Sequence, residues 1–321
     1  MGKMIDGKWS TEWYGSDESG HFVREDTVFG EQIRADGSTD YPVEAGRYHL
    51  YVSLACPWAH RTLIARALRG LEDAISVSVV HWLMADDGWE FRPDEDSDAT
   101  DDPSIGAQFL RELYAKADPD YTGRVTVPVL WDKKTGRIVN NESRDILRML
   151  STQFGAVATR EFDLYPRALR AEIDRVTDAI YTPINNGVYR AGFADSQDAY
   201  DEAVADLFGA LDHWEAHLST QRYLCGSSLT EADICMFTTL VRFDPVYCTH
   251  FKCNLRRLRE YPNLWNYLLD IYQTPHIAET VNLRHIKNHY YCSHPTVNPK
   301  GIIARGFEVD YDAPHDRGRF A

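Results

Sequence analysis

Cys56 stands apart from the other five cysteines, which fall at positions 225, 235, 248, 253 and 292 in the last third of the chain. It is followed by Pro57 and then by Trp58-Ala59-His60-Arg61-Thr62-Leu63-Ile64-Ala65-Arg66-Ala67-Leu68-Arg69. The composition and apolar spacing of that stretch predict a helix, with Gly70 as its stop. Pro57 suits the first helical position, where a missing N–H costs nothing. A sulfur at such a junction meets unpaired backbone N–H groups and the positive end of the helix dipole, which stabilise a thiolate. Cys56 therefore reads as a nucleophile rather than as a small buried hydrophobe. A dithiol exchanger places a second Cys three residues on, and here that residue is Ala59. A monothiol that completes its cycle with an external thiol is the chemistry favoured.

A second set is Asn140-Asn141-Glu142-Ser143, at the end of an expected strand and the start of an expected helix. Glu142 can receive an α-ammonium, while Ser143 and the first helical amides can receive an α-carboxylate. Those are the two charges of a γ-glutamyl group; a simple helix cap is the competing reading. Two further clusters have ligand-like spacing, Cys248-x-His250-x2-Cys253 and His285-x3-His289-x2-Cys292-x-His294. Neither is a paired Cys-x2-Cys array, and the tyrosines among them suit packing better, so no metal is expected.

The elements that must position these residues fall into blocks. Residues 1–46 are polar and rich in Gly, Asp and Glu, and read as an ordered extension. Residues 47–155 read as one small α/β domain: strands over 47–55 and 75–82, an acidic solvated loop over 86–102, a helix over 104–116, strands over 125–131 and 137–140, and a helix over 143–150. Pro128 inside the third strand argues against a plain central strand. From 160 to 321 the pattern is all-α, with helices over 163–181, 198–218, 231–243 and 255–272 and an irregular tail from 283. Thr230-Glu231-Ala232-Asp233 is a helix-starting box.

Length and composition set the bounds. The 321 residues suggest about two domains. Lys and Arg total 34 against 49 Asp and Glu, a net charge of −15, which disfavours nucleic acid and anionic membrane surfaces as partners. No apolar run of about 18 residues spans a bilayer, and the start of the chain has no signal-peptide core, so the cytoplasm is expected. Six cysteines are too sparse for a disulfide scaffold. Aromatic residues make up 12%, which suits flat or aromatic ligands.

These features resemble the glutathione transferases: an α/β thioredoxin-like N-terminal domain, a Glu-Ser pair for a γ-glutamyl group and an all-α C-terminal domain. In that fold the X-Pro bond before the third strand, here Val127-Pro128, is typically cis. The finer likeness is to the Xi class, the glutathionyl-hydroquinone reductases, over about residues 40–305. It rests on Cys56-Pro57-Trp58-Ala59-His60-Arg61, Gly88-Trp89-x-Phe91, Gly123-Arg124-Val125-Thr126-Val127-Pro128-Val129-Leu130-Trp131-Asp132, Asn141-Glu142-Ser143, Asn185-Asn186-Gly187-Val188-Tyr189-x-Ala191-Gly192-Phe193-Ala194 and His289-Tyr290-Tyr291-x-Ser293-His294. The resemblance implies that a glutathionyl-hydroquinone and glutathione give a hydroquinone and oxidised glutathione, through a mixed disulfide on Cys56. It implies glutathione contacts from Trp89, Arg124, Val125, Thr126, Val127, Glu142 and Ser143, with glutathione as co-substrate and no metal. It makes Tyr189 the acid that protonates the leaving carbon, puts Tyr247 and Tyr290 near the thiol and the substrate ring, and implies a homodimer. Two alternatives are an omega-like thiol transferase or dehydroascorbate reductase, and a non-catalytic glutathione-fold binding module.

Overall fold

The computed structural model describes residues 2–12, 16–24, 27–93 and 98–320. The elements in the first half are β1 (Lys3–Ile5), β2 (Lys8–Ser10), β3 (Tyr48–Val52), α1 (Pro57–Leu68), β4 (Ile75–Val79), α2 (Leu110–Ala117), β5 (Gly123–Arg124), β6 (Val129–Asp132), β7 (Arg137–Asn140) and α3 (Ser143–Thr152). The main sheet runs β4-β3-β6-β7. β3 pairs parallel with β4 and antiparallel with β6, which pairs antiparallel with β7. All five residues of β3 are buried, as a strand covered on both faces requires. Helices α1 and α3 pack against each other.

The second half contains α4 (Arg170–Ile180), α5 (Gly187–Gly192), α6 (Gln197–His217), α7 (Glu231–Leu240), α8 (Cys248–His250), α9 (Pro262–Tyr272) and α10 (Leu283–Ser293). Among the described residues, no strand occurs there, and no helix of the chain is long and apolar enough to cross a membrane.

The chain divides into two compact units that are not consecutive blocks. The first takes the described residues of 1–13, 25–162 and 280–289; the second takes those of 14–24, 163–279 and 290–321. The N-terminal 46 residues are thus no free-standing arm. β1 pairs with both β2 and β5, so the hairpin extends the segment that leads into β6. Further on, the Glu31 N–H donates to the Val139 carbonyl and the Asn141 N–H to the Phe29 carbonyl, which lays residues 29–31 along β7. Positions 13–15, 25 and 26 of this extension and 94–97 of the acidic stretch lie outside the described residues.

The α-helices expected over 163–181 and 255–272 begin only at Arg170 and Pro262, and three further elements depart from the sequence expectation. The helix expected over 104–116 begins only at Leu110. Asp102, 5% exposed, accepts the hydroxyl of Tyr51 (2.7 Å) and the N–H groups of Ser104 (2.9 Å), Ile105 (3.2 Å) and Ala107 (3.0 Å). Those amides serve a loop and are withheld from a helix, so this end of the acidic stretch is an anchor rather than a solvated face. The strand expected over 125–131 is confined to Val129–Asp132, since Pro128 has no N–H for the ladder. The tail expected from 283 opens with α10. The Asn282 side chain accepts the His285 N–H (2.9 Å), and His285, Ile286, His289, Tyr290, Tyr291 and Ser293 form its buried stripe. That stripe has helical spacing, but histidines and a serine hide it from a hydrophobicity reading.

Burial raises the Asp102 carboxyl, but Tyr51 and the three amides outweigh it and the net shift is downward. A carboxyl depressed in the folded state stabilises above its unfolded value, and that contribution is lost as pH falls through the folded one. Asp102→Ala should cost about 3 kcal/mol in chemical denaturation at neutral pH, because it leaves four donors without an acceptor. The deficit should shrink on acidification below the ordinary carboxylate range.

Candidate active site

β3 delivers the chain to Cys56, which caps α1 with extended backbone (φ −75°, ψ 122°) and Pro57 at the first helical position. The Cys56 N–H donates to the Ser53 carbonyl (3.1 Å), and its own carbonyl accepts the His60 N–H (3.0 Å). The Sγ lies 3.6 Å from the Val127 carbonyl oxygen, within reach of an S–H donor. The Val127-Pro128 bond is cis, as expected from the sequence. The thiol is half-buried at this helix N-terminus, the position that favours a thiolate. Burial raises the thiols of four other cysteines. Burial pushes the Cys225 thiol up to about 12 and the Cys248 thiol up to about 11, and it raises Cys253 and Cys292 as well. Such thiols are poor nucleophiles near neutral pH. None of the six cysteines is in a disulfide.

Glu142 and Ser143 open α3. Glu142 is the N-cap: its Oε1 accepts the Arg144 N–H (3.1 Å) and the Ser143 hydroxyl (3.3 Å). The Glu142 N–H donates to the Asn140 side chain (2.7 Å). Ser143 Oγ also accepts from Arg61 (3.4 Å), whose guanidinium lies 4.3 Å over the ring of Trp58. Sequence reasoning misses Arg61 as a site residue, although it closes the Cys56–Arg61 motif. It is 3% exposed and brings positive charge from α1 to the place where a carboxylate is expected.

The remaining residues of the expected glutathione set share this unit. Arg124 lies in β5, with its carbonyl accepting the Tyr121 hydroxyl (2.8 Å). Val125 and Val127 are buried, and Thr126 between them is half-buried. Trp89 is nearly buried, stacks on His289 (centroids 4.9 Å, 25°), and accepts the Leu110 N–H on its carbonyl (2.9 Å). The preceding Gly88 has φ +81°, and a Cβ there would stand 2.9 Å from the ring of Trp9. Backbone and space both call for glycine. Trp9 adds an indole N–H bond to the Asp86 carbonyl (2.9 Å), so the N-terminal hairpin supports the Trp89 loop.

Tyr189, Tyr247 and Tyr290 come together in the second unit. The Tyr290 hydroxyl lies 2.5 Å from that of Tyr189 and 2.9 Å from that of Tyr247. Tyr247 and Tyr290 meet edge to face (5.4 Å, 87°), and Phe251 stacks on Tyr247 (5.6 Å, 7°). Burial holds the Tyr247 and Tyr290 phenols well above their usual range, so both keep their protons at neutral pH. Two π-helical turns set the directions. One, Tyr181–Asn185, precedes α5 and Tyr189; the other, Phe243–Tyr247, ends on Tyr247 itself. An extra residue in a turn advances the following side chains by about 100° around the helix. Gly192 allows the Phe251 ring to approach, since a Cβ there would lie 2.2 Å from it. Arg24 is a second residue that sequence reasoning misses. It donates to the Asn186 side chain (2.8 Å), and its guanidinium lies 5.0 Å over the Tyr189 ring. No local pattern in a polar extension marks such a residue.

The two metal-like spacings dissolve in three dimensions. His289 Nδ1 pairs with the Trp82 carbonyl (2.9 Å), Cys292 Sγ with the Gly301 carbonyl (3.5 Å), and His294 with His250 (3.1 Å). Among the described residues, no group of three or more His, Cys, Asp or Glu side chains is arranged to hold a metal ion.

Comparison with known proteins identifies the family. The family model for the glutathione S-transferase N-terminal domain matches residues 55–153, and that for the C-terminal domain matches residues 197–269. The chain is 54% identical to the glutathionyl-hydroquinone reductase YqjG of Escherichia coli, over 99% of this chain and 98% of that protein. The solved structure of a Xi-class glutathione transferase from Natrialba magadii superposes with a TM-score of 0.94 at 55% identity, covering 100% of this chain and 98% of that one. The glutathione-bound structure of Escherichia coli YqjG gives 0.90 at 53% identity, with 99% of each chain covered. With its thiol at the start of α1 and its tyrosine cluster in the helical unit, this chain belongs to the Xi class of the glutathione transferases, the family of the glutathionyl-hydroquinone reductases.

Proposed function

We propose that this protein reduces glutathionyl-hydroquinones to hydroquinones at the expense of glutathione, through a mixed disulfide on Cys56. The observation that carries the reading is the placement of Cys56: a lone thiol at a helix N-terminus, with Ala59 where a resolving cysteine would stand. In the first step the Cys56 thiolate attacks the thioether sulfur. The new S–S bond forms as the carbon–sulfur bond breaks, and the electron pair of that bond goes to the ring carbon, which takes a proton. In the second step a glutathione thiolate attacks the glutathione sulfur of the mixed disulfide. Oxidised glutathione leaves and the Cys56 thiolate returns. The ring carbon is reduced, and the thioether sulfur of one glutathione and the thiol of a second end as one disulfide, so the balance closes.

Glutathione is read as lying on Trp89, the Arg124–Val127 segment, Glu142 and Ser143. Glu142 would receive the α-ammonium, and Ser143 with Arg61 the α-carboxylate. Tyr189 is read as the proton donor to the ring carbon. The hydroxyl chain from Tyr189 to Tyr290 to Tyr247 supports this, since protonated neighbours stabilise the phenolate left behind. A cytoplasmic setting suits a reaction that consumes reduced glutathione and a chain without disulfides. The homodimer implied by the family resemblance completes the reading.

Three measurements test it. Incubation with a glutathionyl-hydroquinone and no free glutathione should leave a glutathione-sized adduct on Cys56 by mass spectrometry. Cys56→Ser should abolish both adduct and turnover, and wild-type turnover in that variant sinks the mechanism. Tyr189→Phe should lose about 10²–10⁴-fold in thioether cleavage, the usual weight of a positioned acid. It should lose much less on a small glutathione mixed disulfide, whose thiolate leaves without help. Equal loss on both substrates assigns Tyr189 to glutathione binding or folding. Light scattering at micromolar concentration should give twice the 36.8 kDa of one chain, and a monomer throughout rejects the dimer.

A further inference from the structure

Two stretches of the first unit, Arg124–Val127 and Asn141–Ser143, are far apart in sequence, yet one bound tripeptide would have to touch both. Slack between them is costly, because a misplacement of about 1 Å in a binding constellation is felt in rate and affinity. The described residues place one hydroxyl between them. Tyr114, on α2, donates its O–H to the Thr126 carbonyl (2.9 Å). The same oxygen accepts the Thr126 N–H (3.2 Å) and the Asn141 side-chain amide (3.1 Å). With one donation and two acceptances, the phenol's hydrogen-bonding capacity is used up. Tyr114 is 0% exposed, so the oxygen is not offered to a ligand.

The other end of the bridge is held just as firmly. Asn141 is 4% exposed, its backbone N–H donates to the Phe29 carbonyl (3.2 Å), and its Oδ1 is buried with no partner. A buried amide oxygen left unpaired costs free energy. The amide nitrogen's bond to Tyr114 is the polar contact that its side chain retains. Phe29 and Tyr121 pack on the Tyr114 ring (5.7 Å and 5.1 Å), so the ring has a place in the core independent of its hydroxyl.

We propose that Tyr114 is a positioning residue for glutathione: its hydroxyl locks the Thr126 backbone to Asn141 and so sets the spacing between the two halves of the glutathione cradle. The inference rests on the reading that glutathione lies across Arg124–Val127 and Glu142–Ser143. It deepens that reading by naming what holds the halves in register. Tyr114 itself touches no substrate atom.

The test is Tyr114→Phe, which keeps the ring and removes the link. Calorimetry with S-methylglutathione should show affinity falling about tenfold, while kcat at saturating glutathione stays within about twofold. Alkylation of Cys56 by iodoacetamide, which needs no bound glutathione, should stay within about twofold of its wild-type rate. A merely structural role would lower kcat through loss of folded enzyme and leave the affinity of the folded fraction unchanged; that pattern overturns the inference. Asn141→Leu removes the other end of the bridge and carries the same expectation should Tyr114→Phe not fold. The double variant should bind no more weakly than Tyr114→Phe alone, because both break one link, and effects that multiply overturn it. Glu142→Gln separates the bridge from the cradle it serves. Weakened binding there with unchanged binding in Tyr114→Phe and Asn141→Leu rejects the bridge alone. Unchanged binding in all three rejects the placement of glutathione, and the bridge with it.

Discussion

The antiparallel register of β3 and β6 is the constraint on which the thiol site depends. Tyr51 pairs with Val129, so the end of β3 and the start of β6 lie at the same end of the sheet. The chain leaving β3 reaches Cys56 four residues after Val52, and the chain entering β6 has just passed Val127. A shift of register would carry Val127 away from the sulfur and turn its neighbours to the opposite face. Pro128 marks where the ladder must stop, because it has no N–H to give. The 3.6 Å contact between Cys56 Sγ and the Val127 carbonyl is therefore a consequence of strand pairing, not of any local preference at Cys56.

Around that end of the sheet the structure recruits support from distant parts of the chain. β1 pairs with β5, residues 29–31 lie along β7, and Trp9 fills the space over Gly88. Each brace acts on the backbone of a segment rather than on a single side chain. Irregular backbone has no ladder of its own, and its polar groups must still be satisfied. Beyond β5 the segment 125–127 is irregular, so the Tyr114 hydroxyl supplies the Thr126 backbone with the partners that a sheet would otherwise give.

How much of this the sequence discloses follows from the range of the interactions. Cys56-Pro57 is legible because a nucleophile, a helix start and the absence of a second cysteine all fall within six residues. The strand cores at 48–52 and 75–79 are legible from β-branched and aromatic content. Helix starts are less so where a buried aspartate captures the amides that would open them. Asp102 does this before α2, and Asp244 does it before α9 by accepting the N–H groups of Leu258 (2.6 Å) and Arg259 (3.3 Å). An aspartate in an acidic or polar stretch looks the same whether it is solvated or buried. α10 is hidden for a related reason, since its buried stripe is built partly from histidine. Arg24 and Tyr114 are invisible to any local pattern, because each acts on partners remote in the chain or through a single hydroxyl.

The same distinction separates the chemistries of the two units. The first unit carries a thiol at a helix N-terminus and polar groups suited to an amino acid's charged ends. That equipment serves any reaction in which sulfur leaves as a thiolate. The second unit carries three phenols joined through hydroxyls, two of them held protonated by burial. Disulfide exchange has no use for them, because a thiolate already leaves well. A carbon leaving group does, because it must be given a proton as its bond to sulfur breaks. In the proposed reaction the thiol decides that sulfur is attacked, and the phenols decide that a carbon can leave. The π-helical turns before Tyr189 and through Tyr247 then have a physical rationale: they turn two of the three phenols so that their hydroxyls meet at Tyr290, which a regular helix of the same sequence would not do.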